Sequence, residues 1–102
     1  MAIKKEYSTD KTICKVTFTI PKEIAEQFKE ISLVGDFNNW DPKANLFSLI
    51  IKDGDHSVSV ELKANKEYQF RYLGDSQTWL NEIEADKHVP NFYGSENSYI
   101  FI

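Results

Sequence analysis

The stretch Gly35-Asp36-Phe37-Asn38-Asn39-Trp40-Asp41-Pro42 is the part of the chain that best indicates its fold. A bulky hydrophobic run, residues 31–34, leads into it, so the stretch marks the end of a strand that enters a tight polar loop. The two asparagines tolerate left-handed backbone geometry, and the Asp-Pro pair keeps the strand from continuing. The loop is therefore predicted to present the indole of Trp40 where side chains face solvent.

A second tryptophan, Trp79, ends another polar stretch, residues 74–79, which predicts a second turn. An indole in a turn contributes little to a core, whereas two such rings provide a flat surface for a ring-shaped ligand. The two tryptophans are therefore predicted to form one exposed platform. The alternatives are that Trp40 caps the end of the domain half-buried and that Trp79 packs under the segment that follows it.

The rest of the chain alternates apolar and polar residues with a period of two, the spacing of half-buried strands. Residues 14–20 and 67–73 are the longest examples, and Asp53-Gly54 between two alternating runs predicts a hairpin. Residues 22–30 have helical spacing, and residues 81–94 are expected to be irregular. Six or seven short strands predict an all-β fold, an antiparallel β-sandwich of immunoglobulin-like type. The side chains expected to point inward are Val16, Phe18, Leu33, Phe37, Leu49, Val58, Val60, Tyr68, Phe70 and Ile100.

The length of 102 residues predicts one domain with a single core and no walls for a deep catalytic cavity. Hydrophobic residues make up 41% of the chain and charged residues 27%, which is typical of a globular protein. We expect residues 12–102 to form the domain and the polar residues 1–11 to be loose. Cys14 is the single cysteine, so we expect no internal disulfide, and the composition predicts a monomer that needs no metal or other cofactor.

The formal net charge is −4, and Arg71 is the single arginine. Binding to nucleic acid or to an anionic membrane needs clustered Lys and Arg, so we expect neither partner. No stretch has the length of a membrane span, and residues 1–6 lack the apolar region of a signal peptide, which together with the single cysteine predicts a cytoplasmic location. Arg71 is expected to point outward and to pair with an acidic neighbour such as Glu61 or Asp75.

Several segments together resemble the family-48 carbohydrate-binding modules. These modules precede the catalytic barrel of isoamylases and glycogen-branching enzymes and form the glycogen-binding domain of the AMP-activated protein kinase beta subunit. The resemblance covers roughly residues 12–102 in the family's order, and the first block is the most specific. The matching segments are Val34-Gly35-Asp36-Phe37-Asn38-Asn39-Trp40, the hairpin at Asp53-Gly54, the strand Tyr68-Gln69-Phe70-Arg71-Tyr72, Trp79, and the tail Gly94-Ser95-Glu96-Asn97-Ser98-Tyr99.

The resemblance implies an early-set, immunoglobulin-like sandwich that binds α-1,4-glucans such as glycogen or starch-like chains and performs no catalysis. Pyranose rings lie with their C–H faces on aromatic rings, while their hydroxyls need amide or hydroxyl partners. Aromatic platforms and intervening polar side chains are therefore the expected binding residues. By position in the family's motifs, the carbohydrate-binding residues are Trp40, Gln69, Trp79, Tyr93, Ser95 and Asn97.

The chain departs from the family at three places. Gln69 stands where the family has a lysine that lies along the sugar, and the loop 74–79 is longer than in the kinase-type modules. Tyr93 also replaces an aliphatic residue that inserts against the sugar coil. Other interpretations stay open for two residues: Asn97 satisfies backbone groups in a turn, and Gln69 is simply solvated.

The sequence leaves three hypotheses about function open. The leading one is a stand-alone module whose partners are an α-glucan and a separate glucan-active enzyme. The alternative is a protein-interaction or scaffold domain that kept the fold and lost sugar binding, which the missing lysine favours. An enzyme is the weakest, because His56, His88 and Cys14 lack metal-ligand spacing and no Gly-rich phosphate loop is present.

Overall fold

The structure is a computed structural model that describes residues 1–51 and 53–102, and the side chain of Leu49 is outside its description. Within these residues the chain forms nine strands, a four-residue α-helix and one turn of 3-10 helix. The elements are β1 Ala2–Tyr7, β2 Ile13–Ile20, α1 Lys22–Ala25, β3 Ile31–Gly35, the 3-10 helix Asp36–Asn38, β4 Leu49–Ile50, β5 His56–Lys63, β6 Glu67–Gly74, β7 Thr78–Leu80, β8 Lys87–Pro90 and β9 Glu96–Phe101.

The strands form two antiparallel sheets. One sheet has the order β1-β2-β5-β4, and the other has the order β3-β6-β9-β8, with the short β7 paired to β6. The predicted hairpin is present, because β4 pairs with the start of β5 and Gly54 between them has a positive φ of 83°. The prediction of an all-β antiparallel sandwich is confirmed, while its immunoglobulin-like type stays a prediction.

The core lies between the two sheets and follows the period of two. Along β2, the side chains of Cys14, Val16, Phe18 and Ile20 are buried while their neighbours face solvent or are half-buried. The ring of Phe18 meets that of Phe70 on the other sheet edge-on, with centroids 5.1 Å apart. Of the ten residues predicted to point inward, nine are buried or pack against the core, and the side chain of Leu49 lies outside the described residues.

Strand β3 is buried on both faces, including its polar residue Ser32. Its second face is covered because the following loop folds back over it. Ser32 Oγ donates to the carbonyl oxygen of Pro42 at 2.6 Å, and the backbone N–H of Leu33 donates to Asn45 O at 2.8 Å. The loop that carries Trp40 is thereby tied to the sheet that it leaves.

The structure differs from the expectation in three segments. Residues 1–11, expected to be loose, contain β1, which pairs with β2 over six residues. Residues 81–94, expected to be irregular, contain β8. Trp79 lies on β7, opposite Leu73, and not in the turn itself. No helix in the described part of the chain is long and apolar enough to cross a membrane.

Candidate functional site

A groove of about 760 Å³ lies on the outer face of the sheet that contains β6 and β9. Phe70 and Tyr72 point into the core, so Arg71 between them points outward by alternation. Leu73 lies two positions after Arg71 on β6 and therefore points to the same face of the sheet. Trp79 pairs with Leu73 across the two strands, so its side chain is on this face as well. The residues that line the groove are Trp40, Arg71, Trp79, Asn91, Tyr93, Ser95 and Asn97.

Five of the six residues predicted for the site line this one groove. They come from the loop after β3, from β7, and from the segment that connects β8 to β9 and begins β9. Gln69 is not among the lining residues, but its Oε1 accepts a hydrogen bond from Asn97 Nδ2 at 3.1 Å. The groove also contains Arg71 and Asn91, which were not predicted as site residues.

The loop that carries Trp40 is shaped by Asn38. The Oδ1 atom of Asn38 accepts from the backbone N–H of Gly35 at 3.0 Å. Its Nδ2 donates to the carbonyl oxygen of Leu33 and to Asn45 Oδ1, both at 2.8 Å. One side chain therefore connects the start, middle and end of the loop. The sequence predicted Asn38 in a turn but did not reveal these bonds.

Trp40 is held in an unusual backbone conformation. Asn39 and Trp40 have φ angles of 57° and 56°, in the left-handed region that a bulky residue rarely adopts. Conformations of this kind persist where the surrounding structure imposes them and are concentrated at functional sites. The indole is half-buried, and its Nε1 donates to Asp36 Oδ1 at 3.0 Å. The Oδ2 of Asp36 accepts from the backbone N–H of Gln69 at 2.8 Å, so Asp36 links the ring to β6.

Trp79 is 45% exposed, and the guanidinium of Arg71 lies over its ring. The guanidinium carbon is 5.3 Å from the ring centroid, a cation–π distance. Arg71 Nη1 also donates to Ser95 Oγ at 3.1 Å. Arg71 thus joins the β7 indole to the segment before β9.

The expected pairing of Arg71 with Glu61 or Asp75 is wrong. Glu61 lies on β5 in the opposite sheet, beside Lys15. The Oδ1 of Asp75 accepts the backbone N–H groups of Lys29 and Glu30 at 2.8 and 3.0 Å, so this carboxylate closes a loop at the end of β6.

A chain of amide side chains forms the polar wall of the groove. Asn97 Nδ2 donates to Gln69 Oε1, and Asn91 Nδ2 donates to Asn97 Oδ1 at 3.1 Å and to Ser95 Oγ at 3.0 Å. The Oδ1 of Asn91 accepts from the backbone N–H of Tyr93 and of Ser95, which makes a turn of the kind that Asn favours. The Asn91-x-Tyr93-Gly94 pattern was the available signal for this turn, and sequence reasoning missed it.

The turn at 91–95 projects aromatic rings into solvent. Tyr93 is 92% exposed at the rim of the groove, and Phe92 beside it is fully exposed. Gly94 has a positive φ of 76°, and this left-handed conformation, which glycine adopts easily, lets the chain reverse sharply there. Tyr93 therefore provides a third ring near the two tryptophans.

A buried carboxylate, that of Glu82, connects the segment after β7 to the core. Glu82 is fully buried, and its Oε1 accepts from the hydroxyl of Tyr72 at 2.7 Å while its Oε2 accepts from the backbone N–H of Glu84 at 2.9 Å. Burial is the main reason that the pKa of Tyr72 lies well above its usual value, and the Glu82 charge raises that pKa further. The backbone N–H of Glu82 donates to Ser98 Oγ, so the segment after β7 is fastened to β9.

The charge of the groove comes from one residue. Arg71 is partly buried, and burial lowers the pKa of its guanidinium without any contribution from a charged neighbour. In the described part of the chain, no Asp, Glu, His or Cys lines the groove, and no group of three such residues is placed to hold a metal ion. The arrangement offers aromatic faces, amide hydrogen bonds and one cation.

The comparisons with known proteins add no assignment. No protein-family model matches the chain, and no curated protein matches its sequence. A function for the groove therefore has to be argued from its residues.

Proposed function

We propose that the chain binds α-1,4-linked glucans in the groove without altering them chemically. The observation that carries the proposal is the convergence of Trp40, Trp79 and Tyr93 on one groove whose polar wall is made of Asn91 and Asn97. Aromatic rings present flat apolar surfaces, and amides supply both donors and acceptors. A chain of glucose rings needs the same two kinds of surface.

The volume of the groove and the hydrogen bonds among its residues also support this proposal. Its volume of about 760 Å³ lies in the range of ligand sites in proteins. The amide chain from Gln69 to Asn91 and the bonds of Asp36 to Trp40 hold the lining residues before any ligand arrives. A preorganised site loses less conformational entropy on binding, whereas the flexible glucan still loses conformational entropy when it is ordered in the groove. We therefore expect a Kd on the order of 10 μM to 1 mM.

The experiment that tests the proposal is a titration with maltoheptaose followed by tryptophan fluorescence. Docking on Trp40 and Trp79 is expected to change their emission with a saturable dependence on sugar concentration. Cellohexaose, a β-1,4-linked chain of glucose, serves as the control ligand and is expected to bind at least about tenfold more weakly. An absence of saturable binding to maltoheptaose at millimolar concentration would refute the proposal.

The second candidate function is a protein-interaction or scaffold domain that kept the fold and lost sugar binding. The observation in its favour is Gln69, which stands at the position of the family's lysine and whose amide oxygen is engaged by Asn97. Substitution Gln69→Lys separates the two functions. If the groove binds glucan, the wild type binds maltoheptaose and the variant is expected to bind it as well or better. If sugar binding was lost with the lysine, the wild type does not bind maltoheptaose.

The remaining parts of the proposal concern state and partners. We propose a cytoplasmic monomer that brings a glucan to a separate glucan-active enzyme and has no catalytic activity itself. A reducing-sugar assay on glycogen tests the absence of hydrolysis, and light scattering during gel filtration tests the monomer. Release of reducing ends by the purified protein would favour the enzyme hypothesis.

A further inference from the structure

Arg71 places a positive charge in the groove, and no carboxylate in the described part of the chain forms an ion pair with it. The two ion pairs among the described residues join Lys4 to Glu6 and Lys22 to Glu26, both away from the groove. The acidic residues nearest in sequence are Glu67 and Asp75. The carboxylate of Glu67 accepts from the Tyr99 hydroxyl, and that of Asp75 accepts two backbone N–H groups. A protein whose net charge is −4 thus keeps its single arginine apart from its own acidic groups.

The hydrogen-bonding capacity of Arg71 is also largely unused by the protein. A guanidinium has five N–H donors, and in the described residues one bond is present, from Nη1 to Ser95 Oγ. The Nε atom is enclosed by protein and has no acceptor among residues 1–51 and 53–102. The guanidinium lies over the indole of Trp79, where it gains cation–π attraction but no neutralising charge.

The surroundings of the guanidinium cannot neutralise it. Asn91, Ser95 and Asn97 are uncharged, and the pKa of Arg71 is lowered by burial alone. The group still stays protonated at neutral pH, because a guanidinium does not lose its proton in proteins. Partial removal from water makes the charge more responsive to an anion than it would be on an open surface.

We propose that the groove prefers a glucan bearing an anionic group, a phosphate monoester or a carboxylate, and that Arg71 receives that group. This inference rests on the proposed function and specifies its ligand class. A planar guanidinium that already lies on an aromatic platform matches the oxygens of such a group, and charge-assisted bonds of this kind are stronger than bonds between neutral groups. Trp79 and Ser95 hold the guanidinium in place for the contact.

The test compares three maltodextrins of equal length by calorimetry at low salt: one unmodified, one with a phosphate ester at a C6 position, and one with a C6 carboxylate. We expect at least one charged sugar to bind wild type about tenfold more tightly than the unmodified sugar. Tightening by the phosphate alone identifies a phosphorylated glucan, and tightening by the carboxylate alone identifies an acidic one. Added salt is expected to reduce the difference.

Substitutions then assign the preference to Arg71. In Arg71→Gln the ratio of affinities is expected to fall to about one, while Arg71→Lys, which keeps the charge, is expected to retain part of it. Lys15→Gln removes the same charge from β2 on the opposite sheet and is expected to leave the ratio unchanged.

Two results would overturn the inference. One is equal binding of charged and unmodified sugars by the wild type. The other is a loss in Arg71→Gln that is the same for all three sugars, because Arg71 would then only position Trp79. Binding of unmodified glucan without any charge preference would leave the proposed function intact, whereas failure of every sugar to bind would remove both. The comparison of the three sugars on the wild type decides whether the groove prefers a charged glucan, even if Arg71→Gln does not fold.

Discussion

The indole nitrogen of Trp40 donates to Oδ1 of Asp36 at 3.0 Å. The second carboxylate oxygen accepts the backbone N–H of Gln69 on β6 at 2.8 Å. A single carboxylate therefore fixes the ring of a loop residue relative to the sheet that forms the groove floor. Asp36 is not among the residues that line the groove but bonds to one that is, and we assign it the role of a positioning residue.

Asp36→Ala is expected to weaken maltoheptaose binding about fivefold, because the Trp40 ring loses the bond that orients it. The loss of two hydrogen bonds is expected to lower the free energy of unfolding by about 1–2 kcal/mol. Calorimetry and urea denaturation measure the two effects. Asp41→Ala is the matched control in the same loop: its Oδ1 accepts the backbone N–H of Lys43, and it has no bond to Trp40. Equal affinities of the two variants would rule out the positioning role.

The left-handed backbone at Trp40 makes a second prediction. Because φ is 56° there, glycine suits the position better than alanine. We expect Trp40→Gly to be about 0.5–1 kcal/mol more stable than Trp40→Ala, the reverse of the usual order. Urea denaturation of the two variants measures the difference. A more stable alanine variant would show that the backbone at this position is not strained.

Gly35 is required by close packing and not by its backbone angle. A Cβ atom at this position would lie 2.7 Å from the carbonyl oxygen of Gln69 and 2.8 Å from Cβ of Phe70. We expect Gly35→Ala to lower the free energy of unfolding by about 3 kcal/mol, because neither neighbour is the free end of a flexible side chain. Gly94→Ala is the control: among the described residues nothing lies within 4 Å of a Cβ atom added there, and the positive φ costs about 1 kcal/mol. Equal losses would contradict the packing argument.

The buried Tyr72–Glu82 pair predicts how stability depends on pH. The pKa of Tyr72 is raised in the folded protein, first by burial and then by Glu82, whereas in the unfolded chain it is about 10. The stabilisation is therefore fully present below about pH 10, and it is lost as the pH rises above that value, because the unfolded chain releases the proton first. The slope from Tyr72 is expected to reach about 1.4 kcal/mol per pH unit.

Urea denaturation between pH 8 and pH 11 measures this slope. Tyr72→Phe is expected to remove its contribution, while Tyr7→Phe, which changes an exposed tyrosine on β1, is expected to leave the slope as in the wild type. Tyr72→Phe is also expected to lower stability by about 1–3 kcal/mol at neutral pH, because Glu82 loses a donor in the core. An unchanged slope in Tyr72→Phe would show that another group titrates.

The sheets were predictable where one face of a strand is buried, because burial imposes the period of two that β2 and β6 display. Strand β1 could not be predicted in this way. None of its residues is fully buried, so its sequence lacks a strong alternation of apolar and polar residues. Strand β8 lies at an edge of the other sheet, and its sequence also lacks a strong alternation of apolar and polar residues. Edge strands are specified mainly by pairing with a neighbour, which local sequence does not record.

The site was predictable in its aromatic residues and not in their connections. Trp40 and Trp79 stand out in the sequence because polar residues surround them. The amide chain from Gln69 through Asn97 to Asn91 depends on how β6 and β9 lie side by side and on how the chain turns before β9. The position of Arg71 over Trp79 depends likewise on the pairing of β6 with β7. These contacts join residues distant in sequence, so no local pattern indicates them.

The measurement that tests the central claim most directly is the calorimetric affinity of maltoheptaose for the double variant Trp40→Ala/Trp79→Ala beside that of the wild type. The indole of Trp40 is half-buried, that of Trp79 is 45% exposed, and neither belongs to the core cluster. We therefore expect the variant to remain folded by circular dichroism and its affinity to fall by at least about 50-fold. Tyr7→Ala, which removes an exposed ring from the opposite sheet, is expected to bind as the wild type does. A folded double variant with unaltered affinity for maltoheptaose would contradict the claim that these two rings form the binding platform.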